Sequence, residues 1–150
     1  MSLVYNNAKV TGLASGTSFA WASTTILATL CSNNYTPNPD DIYTSAISAA
    51  ELSGGTWSGG YAGNLRQTVL VKTITNNTTD DQTEYNAQSL TWSGISAGTV
   101  YGIAILTHSG ANSNGNGLLL AFLSTTATVT NSGSFTASWA NSGLIVLASG

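Results

Sequence analysis

The side chains able to perform acid–base chemistry are few, and they lie in local contexts typical of turns. The chain has six Asp and Glu residues and a single histidine, His108. The acids form two adjacent pairs, Asp40–Asp41 and Asp80–Asp81, with Glu51 and Glu84 apart from them. Two carboxylates can serve a glycosidase when the fold makes them face each other. Acid–base catalysis by these groups therefore depends on long-range folding, while their local sequence offers simpler roles.

Those simpler roles are helix starts and turns. In Asn38–Asp41, Asn38 is a typical N-cap, proline follows at the first helical position, and the two acids occupy the first turn, where the helix dipole favours negative charge. Ser48 and Glu51 have the spacing of a capping box. Asp80–Asp81 follow a polar Asn- and Thr-rich run and are typical turn residues. We therefore predict one or two short helical turns at about residues 39–52.

The chain lacks sequence patterns of metal and nucleophile chemistry. Neither acidic pair has the alternating ligand spacing of a calcium loop, and no Cys/His cluster suits zinc. There is no G-x-S-x-G nucleophile motif. The only cysteine, Cys31, lies in an apolar run without a cationic neighbour, which favours a buried, unreactive thiol. We predict that the protein is not an enzyme, that it has no catalytic residues, metal or cofactor, and that His108 is a strand-end side chain.

Composition narrows the classes of partner. Of the 150 residues only 6% are charged, whereas about 25% is usual, yet 42% are hydrophobic. The net charge is −3 and the three basic residues are Lys9, Arg66 and Lys72. No basic patch can form, which disfavours nucleic-acid binding and a polybasic membrane anchor. The apolar run 10–31 is interrupted by Gly, Ser and Thr, so we do not expect it to span a membrane, and residues 1–10 lack signal-peptide order.

Short apolar or alternating segments separated by turn residues favour β-structure throughout. The predicted strands are residues 24–32, 65–75, 83–87, 88–95, 100–108, 117–125, 134–140 and 143–149. Segments 100–108 and 117–125 are apolar on both faces, which predicts central strands covered on two sides. Turns at 109–117, 130–134 and 140–143 predict hairpins. We expect one all-β domain over residues 1–150, an antiparallel β-sandwich or jelly-roll-like barrel, with residues 1–23 as an N-terminal arm or edge strand.

Aromatic residues are the remaining candidates for binding. Trp92 and Trp139 lie on alternating strand faces and are predicted to be core residues. Trp57 and Tyr61 lie in a Gly-rich loop at 53–64, where they could stack on a sugar, fill a pocket of a partner, or cover the edge of the core.

The N-terminal arm contributes further apolar side chains. Val4, Tyr5, Phe19 and Trp21 could reach onto a neighbouring subunit if the arm leaves its own domain. These four residues, together with Trp57 and Tyr61 of the loop at 53–64, are the predicted partner-interface residues.

The order of several motifs resembles a family of small tailed-bacteriophage virion proteins. The motifs are NYTPNPDDIYTSAISAAELSG, LRQTVLVKTIT, DDQTEYNAQSLTWSGI, VYGIAILTHSGANSNGNGLLLAFL and GSFTASWANSGLIVLAS, and they cover the chain from Thr24 to its end. The resemblance implies a structural component of the virion without enzymatic activity. This sequence departs from the family pattern in having Ser, Thr or Asn at positions that are often charged there.

Three functional hypotheses follow. The first is a capsid decoration or cement protein, made in the host cytoplasm, that binds the major capsid protein on the outer surface of the virion as a homotrimer. A nearly uncharged, Thr- and Ser-rich surface suits large, permanent interfaces. The second is a carbohydrate-binding or adhesion module of a tail or head fibre, which rests on Trp57 and Tyr61. A hydrolase, which rests on the acids alone, is the weakest alternative.

Overall fold

The computed structural model describes residues 2–6, 8, 21–53, 66–96, 98–107, 117–131, 133–139 and 143–148. Within these ranges the chain forms ten β-strands and one 3₁₀ helix, Thr44–Ile47. The strands are β1 (Ser2–Val4), β2 (Ile26–Cys31), β3 (Gln67–Thr68), β4 (Thr73–Asn77), β5 (Gln82–Asn86), β6 (Leu90–Trp92), β7 (Gly98–Thr107), β8 (Leu119–Thr130), β9 (Phe135–Ala137) and β10 (Ile145–Ala148). No helix of this part of the chain is long and apolar enough to cross a membrane.

The strands form three antiparallel sheets. A five-stranded sheet has the order β1-β8-β7-β2-β3, a three-stranded sheet the order β10-β5-β4, and a two-stranded sheet pairs β6 with β9. Every strand pair is antiparallel. The prediction of an all-β antiparallel fold is confirmed. The large sheet has β1 and β3 at its edges, so the described strands make a sandwich-like arrangement of open sheets and do not close a barrel.

One face of the large sheet packs against the two smaller sheets. On this face Ile26, Ala28 and Leu30 of β2 lie beside Ile103 and Ile105 of β7, with all five side chains at most 2% exposed. The smaller sheets and their connections cover them with Leu90, Trp92, Ile95, Ala137, Leu144 and Ile145. Because alternate residues of a strand point to opposite faces, this core takes only half of the side chains of β2 and β7.

The other half of those side chains forms a second core on the opposite face. Leu27 and Cys31 of β2 and Ala104 and Leu106 of β7 are buried there, together with Leu119 and Phe122 of β8. Tyr5, Ile47 and Tyr35 pack over them, so the segment between β2 and β3 and the N-terminal residues act as a third layer. The predictions of strands covered on both faces and of a buried thiol at Cys31 are confirmed.

The predicted hairpins are only partly correct. β7 and β8 pair along most of their length, as do β4 and β5 around the turn at 78–81. The hairpins predicted at 130–134 and 140–143 are wrong, because β9 pairs with β6 and β10 pairs with β5. Turn residues show where a chain reverses direction, whereas the partner of a three-residue strand depends on side-chain contacts such as Trp92 with Phe135 (ring centroids 6.1 Å apart).

The long strand predicted at 65–75 is also wrong, since the chain leaves the large sheet between β3 and β4. Val69 is buried and its amide donates to the Ile26 carbonyl at 2.8 Å. Two residues later Val71 has a φ of 50°, in the left-handed region, and is 70% exposed. The Gln88 amide then donates to the Leu70 carbonyl at 3.0 Å and ties this bend to the smaller sheets.

Of the one or two short helical turns predicted at about residues 39–52, the structure contains one. The Asp40 amide donates to the Asn38 side-chain oxygen at 3.1 Å, but a turn follows and no helix begins there. The 3₁₀ helix starts later, at Thr44, and Ser48 is its C-cap rather than the N-cap of a second helix. A short helical turn within 39–52 is confirmed, while both predicted N-caps are wrong: the Asn38 side chain accepts from the Asp40 amide in a turn, and the Ser48 hydroxyl donates to the Ser45 carbonyl at 2.9 Å at the end of the 3₁₀ helix.

Candidate functional site

Two of the predicted interface residues lie in the core. Tyr5 is 0% exposed and Trp21 is 1% exposed. The Trp21 indole donates to the Asn86 carbonyl at 3.2 Å and packs edge-on against Tyr85, with ring centroids 5.5 Å apart. Their burial removes both side chains from the candidate interface. Val4 is half-buried in β1, which forms one edge of the large sheet.

The other predicted interface residues, Phe19, Trp57 and Tyr61, lie outside the described residues, as does His108. The two core tryptophans predicted from strand alternation are described. Trp92 is fully buried, whereas Trp139 is half-buried and donates its indole N–H to the Gln88 carbonyl at 2.9 Å. The prediction of a core position is therefore confirmed in full for Trp92, and Trp139 lies at the rim.

A hydrogen-bonded chain connects the buried Tyr5 to the first acidic pair. The Tyr35 hydroxyl donates to the Asp41 carboxylate at 2.7 Å, which leaves its oxygen to accept from the Tyr5 hydroxyl, also at 2.7 Å. The Asn6 side-chain amide donates to Asp40 at 2.8 Å. The Asp40–Asp41 pair thus anchors the N-terminal segment to the crossover between β2 and β3. This role replaces the predicted interaction with a helix dipole.

The two phenols of this hydrogen-bonded chain, Tyr5 and Tyr35, have pKa values raised above the ordinary value for tyrosine. Burial, and then the contact with Tyr35, raises the pKa of Tyr5 well above its ordinary value of 10.0. Burial also raises the pKa of Tyr35 to about 12, with the hydrogen bond to Asp41 adding to it and that from Tyr5 opposing it. Both phenols therefore stay protonated near neutral pH, and the hydrogen bonds that they donate are kept there.

These raised pKa values predict that the free energy of unfolding falls as the pH rises above about 10. Above that pH the unfolded chain loses phenolic protons that the folded chain still binds, so the unfolded state is favoured. Urea denaturation between about pH 8 and about pH 11 measures the slope. Tyr5→Phe should flatten it, and Tyr101→Phe, which removes an exposed phenol, should not. An equal slope in wild type and Tyr5→Phe would contradict the prediction.

A buried ion pair lies beside the end of β2. The Glu51 carboxylate, with a side chain 0% exposed, accepts from the Arg66 Nε at 2.8 Å and from a second guanidinium nitrogen. The Thr29 hydroxyl donates to the same carboxylate at 3.0 Å. Arg66, one of the three cations of the chain, is only 8% exposed and is thereby engaged inside the protein. The pair joins β2, the crossover and the residue before β3, and offers no surface to a ligand.

The second acidic pair belongs to the turn between β4 and β5. Asp80 accepts from the Asn77 side-chain amide at 2.8 Å, and Asp81 has a φ of 51° in the left-handed region. The amides of Asn77 and Gln82 also donate to Glu84, and these hydrogen bonds lower the pKa of Glu84. The turn role predicted for Asp80 and Asp81 is confirmed. Among the described residues, no group of three His, Cys, Asp or Glu side chains could hold a metal ion.

Three exposed apolar side chains that the sequence did not predict lie at or next to a sheet edge. Leu70, Val71 and Ile74 are 55%, 70% and 52% exposed, and they flank or belong to β4, which is the edge strand of its sheet. We call these three side chains, with the outer edge of β4, the β4 patch. Val71 also lines a shallow groove with Thr73, Asn86, Ala87 and Gln88. The sequence did not predict this patch because residues 65–75 alternate in part like a single strand, whereas the chain bends at Val71.

Charge is absent from the strand that carries this patch. β4 has the sequence TITNN, and four of its five residues are exposed. The neighbouring cation is Lys72. Its ammonium group donates a hydrogen bond to the Thr24 carbonyl, and burial lowers the pKa of Lys72. Proteins usually protect exposed strand edges with charges, prolines or bulges. An uncharged, exposed edge beside three apolar side chains is typical of a surface that a partner covers.

The described residues form an antiparallel, sandwich-like all-β fold. Compared with known proteins, the chain matches no family model, no curated protein and no solved structure. The resemblance to small bacteriophage virion proteins is therefore a prediction that rests on the order of the motifs in the sequence.

Proposed function

We propose that the chain is a structural protein of a bacteriophage virion, a capsid decoration protein that binds the outer shell and stabilises contacts between major capsid proteins. The observation that supports this proposal is the β4 patch. Its occupant is an extended strand of the major capsid protein, which pairs with the outer edge of β4 and covers Leu70, Val71 and Ile74. Strand addition of this kind derives affinity from main-chain hydrogen bonds and specificity from the adjoining side chains.

Charge and backbone geometry support this choice of occupant. The chain carries little charge over 150 residues, so it has few groups that must be desolvated when a large surface is covered. Val71 is a β-branched residue with a φ of 50°, a conformation that costs roughly 1–3 kcal/mol for such a residue. Backbone strain of this kind is concentrated at functional positions, and here it lies within the exposed patch.

Ile74→Lys tests the proposal. The ammonium would have to be buried against the bound strand, so we expect binding to empty capsids to weaken by at least tenfold, about 1.4 kcal/mol. Cosedimentation of the purified protein with capsids that lack it measures the affinity. Because Ile74 is 52% exposed, the variant should fold normally, which circular dichroism checks.

Val129→Lys is the matched control. Val129 is also a β-branched strand residue, 77% exposed, but it lies on β8 in the large sheet. We expect it to bind capsids as the wild type does. Equal binding of Ile74→Lys and wild type would contradict the assignment of the β4 patch. Absence of the protein from purified particles by quantitative mass spectrometry would overturn the virion role altogether.

On the shell the protein would act as a homotrimer, with several copies bridging neighbouring capsid subunits. Light scattering of the free protein and a copy count per particle test this arrangement. A copy number in proportion to the capsid subunits supports a shell position, and a far smaller number supports a tail position. The adhesion hypothesis built on Trp57 and Tyr61 gains no support from the described residues, since both lie outside them.

A further inference from the structure

A row of three paired side chains crosses the three-stranded sheet on the face that looks toward the core. Ile145 of β10 pairs with Tyr85 of β5, which pairs in turn with Ile74 of β4. Residues directly opposite each other in an antiparallel sheet place their side chains on the same face. Ile145 belongs to the core and Tyr85 packs against it, so Ile74 faces the same side.

Burial decreases along this row toward the outer edge of β4. Ile145 is 8% exposed, Tyr85 is half-buried, and Ile74 is 52% exposed. Covering the remaining apolar surface of Ile74 would be favourable, because apolar surface is then removed from water. The described residues leave this end of the row uncovered, and a fourth side chain beyond Ile74 would complete it.

The backbone of β4 offers hydrogen-bonding groups to a further strand at two residues. The Tyr85 carbonyl accepts from the Leu144 amide at 2.8 Å, so the main-chain groups of Tyr85 point toward β10 and away from β4. Antiparallel strands alternate hydrogen-bonded and non-hydrogen-bonded pairs. Tyr85 and Ile74 therefore form a non-hydrogen-bonded pair, and the N–H and C=O groups of Ile74 and Asn76 point to the outer edge. No strand of the described part of the chain pairs with that edge.

We propose that the strand bound at β4 forms its hydrogen bonds with Ile74 and Asn76 and places an apolar side chain opposite Ile74, which completes the row. Because the occupant is the capsid strand of the proposed function, this inference rests on that function. It specifies which capsid segment fits, namely an extended, uncharged stretch. β4 has no charged residue, so a charge opposite Ile74 or Asn76 would be desolvated without a counter-charge.

Amide hydrogen exchange tests the pattern residue by residue. In the free protein the amides of Thr73, Thr75 and Asn77 face β5 and should exchange slowly, whereas those of Ile74 and Asn76 should exchange fast. On capsids that lack the protein, the amides of Ile74 and Asn76 should exchange at least about tenfold more slowly than in the free protein. Mass spectrometry with fragmentation to single residues measures both states.

A proline variant tests the main-chain contacts separately from the side chains. Asn76→Pro removes one outward N–H and leaves the bonds between β4 and β5 in place, since edge strands tolerate proline where the N–H faces solvent. We expect it to weaken cosedimentation with capsids roughly fivefold. Asn76→Ala is the matched control, because it removes the side chain and keeps the N–H, and it should bind within about twofold of the wild type.

Ile74→Thr tests the apolar contact. It keeps a β-branched side chain on the strand and replaces part of its apolar surface by a hydroxyl, so binding to capsids should weaken about tenfold. Circular dichroism checks that the variants fold. If Asn76→Pro unfolds, the exchange pattern and Ile74→Thr still decide.

The outcomes separate this inference from the proposed function. If the wild type does not cosediment with capsids, both fail. If the wild type binds but the Ile74 and Asn76 amides keep exchanging fast, or Ile74→Thr binds equally well, only this inference is overturned. The same holds if a folded Asn76→Pro binds like Asn76→Ala. Slow exchange of the Ile74 and Asn76 amides in the free protein would also overturn it, because the outer edge of β4 would then be occupied before any partner binds.

Discussion

Arg66→Met should lower the free energy of unfolding by about 3–5 kcal/mol, the largest effect we expect from any single substitution. The Glu51 side chain is 0% exposed and accepts two hydrogen bonds from the Arg66 guanidinium. Without the guanidinium, the hydrogen bond from the Thr29 hydroxyl, at 3.0 Å, is what remains to the carboxylate from side chains in the described part of the protein. A buried charge without its counter-charge is strongly destabilising because water no longer solvates it. Urea denaturation monitored by tryptophan fluorescence measures the loss.

The double variant Glu51→Leu with Arg66→Met tests whether the loss of stability comes from the unpaired Glu51 carboxylate. Replacing both partners of a buried ion pair by apolar residues is often neutral, because both desolvation penalties disappear together. We therefore expect the double variant to recover most of the stability that Arg66→Met loses. A loss below about 1 kcal/mol in the single variant would instead be typical of a solvent-exposed pair and would contradict the buried geometry.

Gly102→Ala should destabilise the protein by about 1–3 kcal/mol through overpacking. A Cβ at this position would overlap the ring of Phe122 and lie 3.0 Å from the Leu123 carbonyl oxygen. The ring has little room to move, since Phe122 is 3% exposed and packs edge-on against Tyr35 with centroids 5.5 Å apart. Gly102 also adjoins an irregularity in the register of β7 and β8, and its missing side chain leaves room for the Phe122 ring.

Two further variants test the cause. Gly133→Ala is the matched control, since nothing lies within 4 Å of a Cβ there, and we expect a change within about 0.5 kcal/mol. Phe122→Leu in the Gly102→Ala background should restore part of the lost stability by removing the clash. If the losses of Gly102→Ala and Phe122→Leu simply add in the double variant, the overlap is not the cause.

The confirmed predictions about the core concern burial that follows from the order of apolar residues within single strands. The apolar runs in β7 and β8 predicted strands buried on both faces, and the structure has a core on each side of them. The apolar run in β2 predicted a buried Cys31, and the alternation in β6 predicted a core position for Trp92; both residues are fully buried. These features could be predicted because a strand places alternate side chains on opposite faces, whatever its neighbours are.

The site predictions depended on contacts that local pattern does not encode. Tyr5 and Trp21 were candidates for an interface because they lie in an arm of ambiguous pattern, yet the fold buries them against Tyr35 and Tyr85. The β4 patch arises from a bend that Val71 makes in a segment whose sequence alternates like a strand. In both cases the outcome depends on how these residues pack against parts of the protein that are distant in sequence.

By itself, the sequence determined the all-β class, the position of most strands and the turn role of Asp80 and Asp81, because these follow from residues close together in the chain. Only the tertiary structure decided the pairing of β9 with β6 and β10 with β5, and the ion pair of Glu51 with Arg66. These features join segments far apart in sequence. Their selection depends on the free energy of the whole packed core, which no short stretch of sequence specifies.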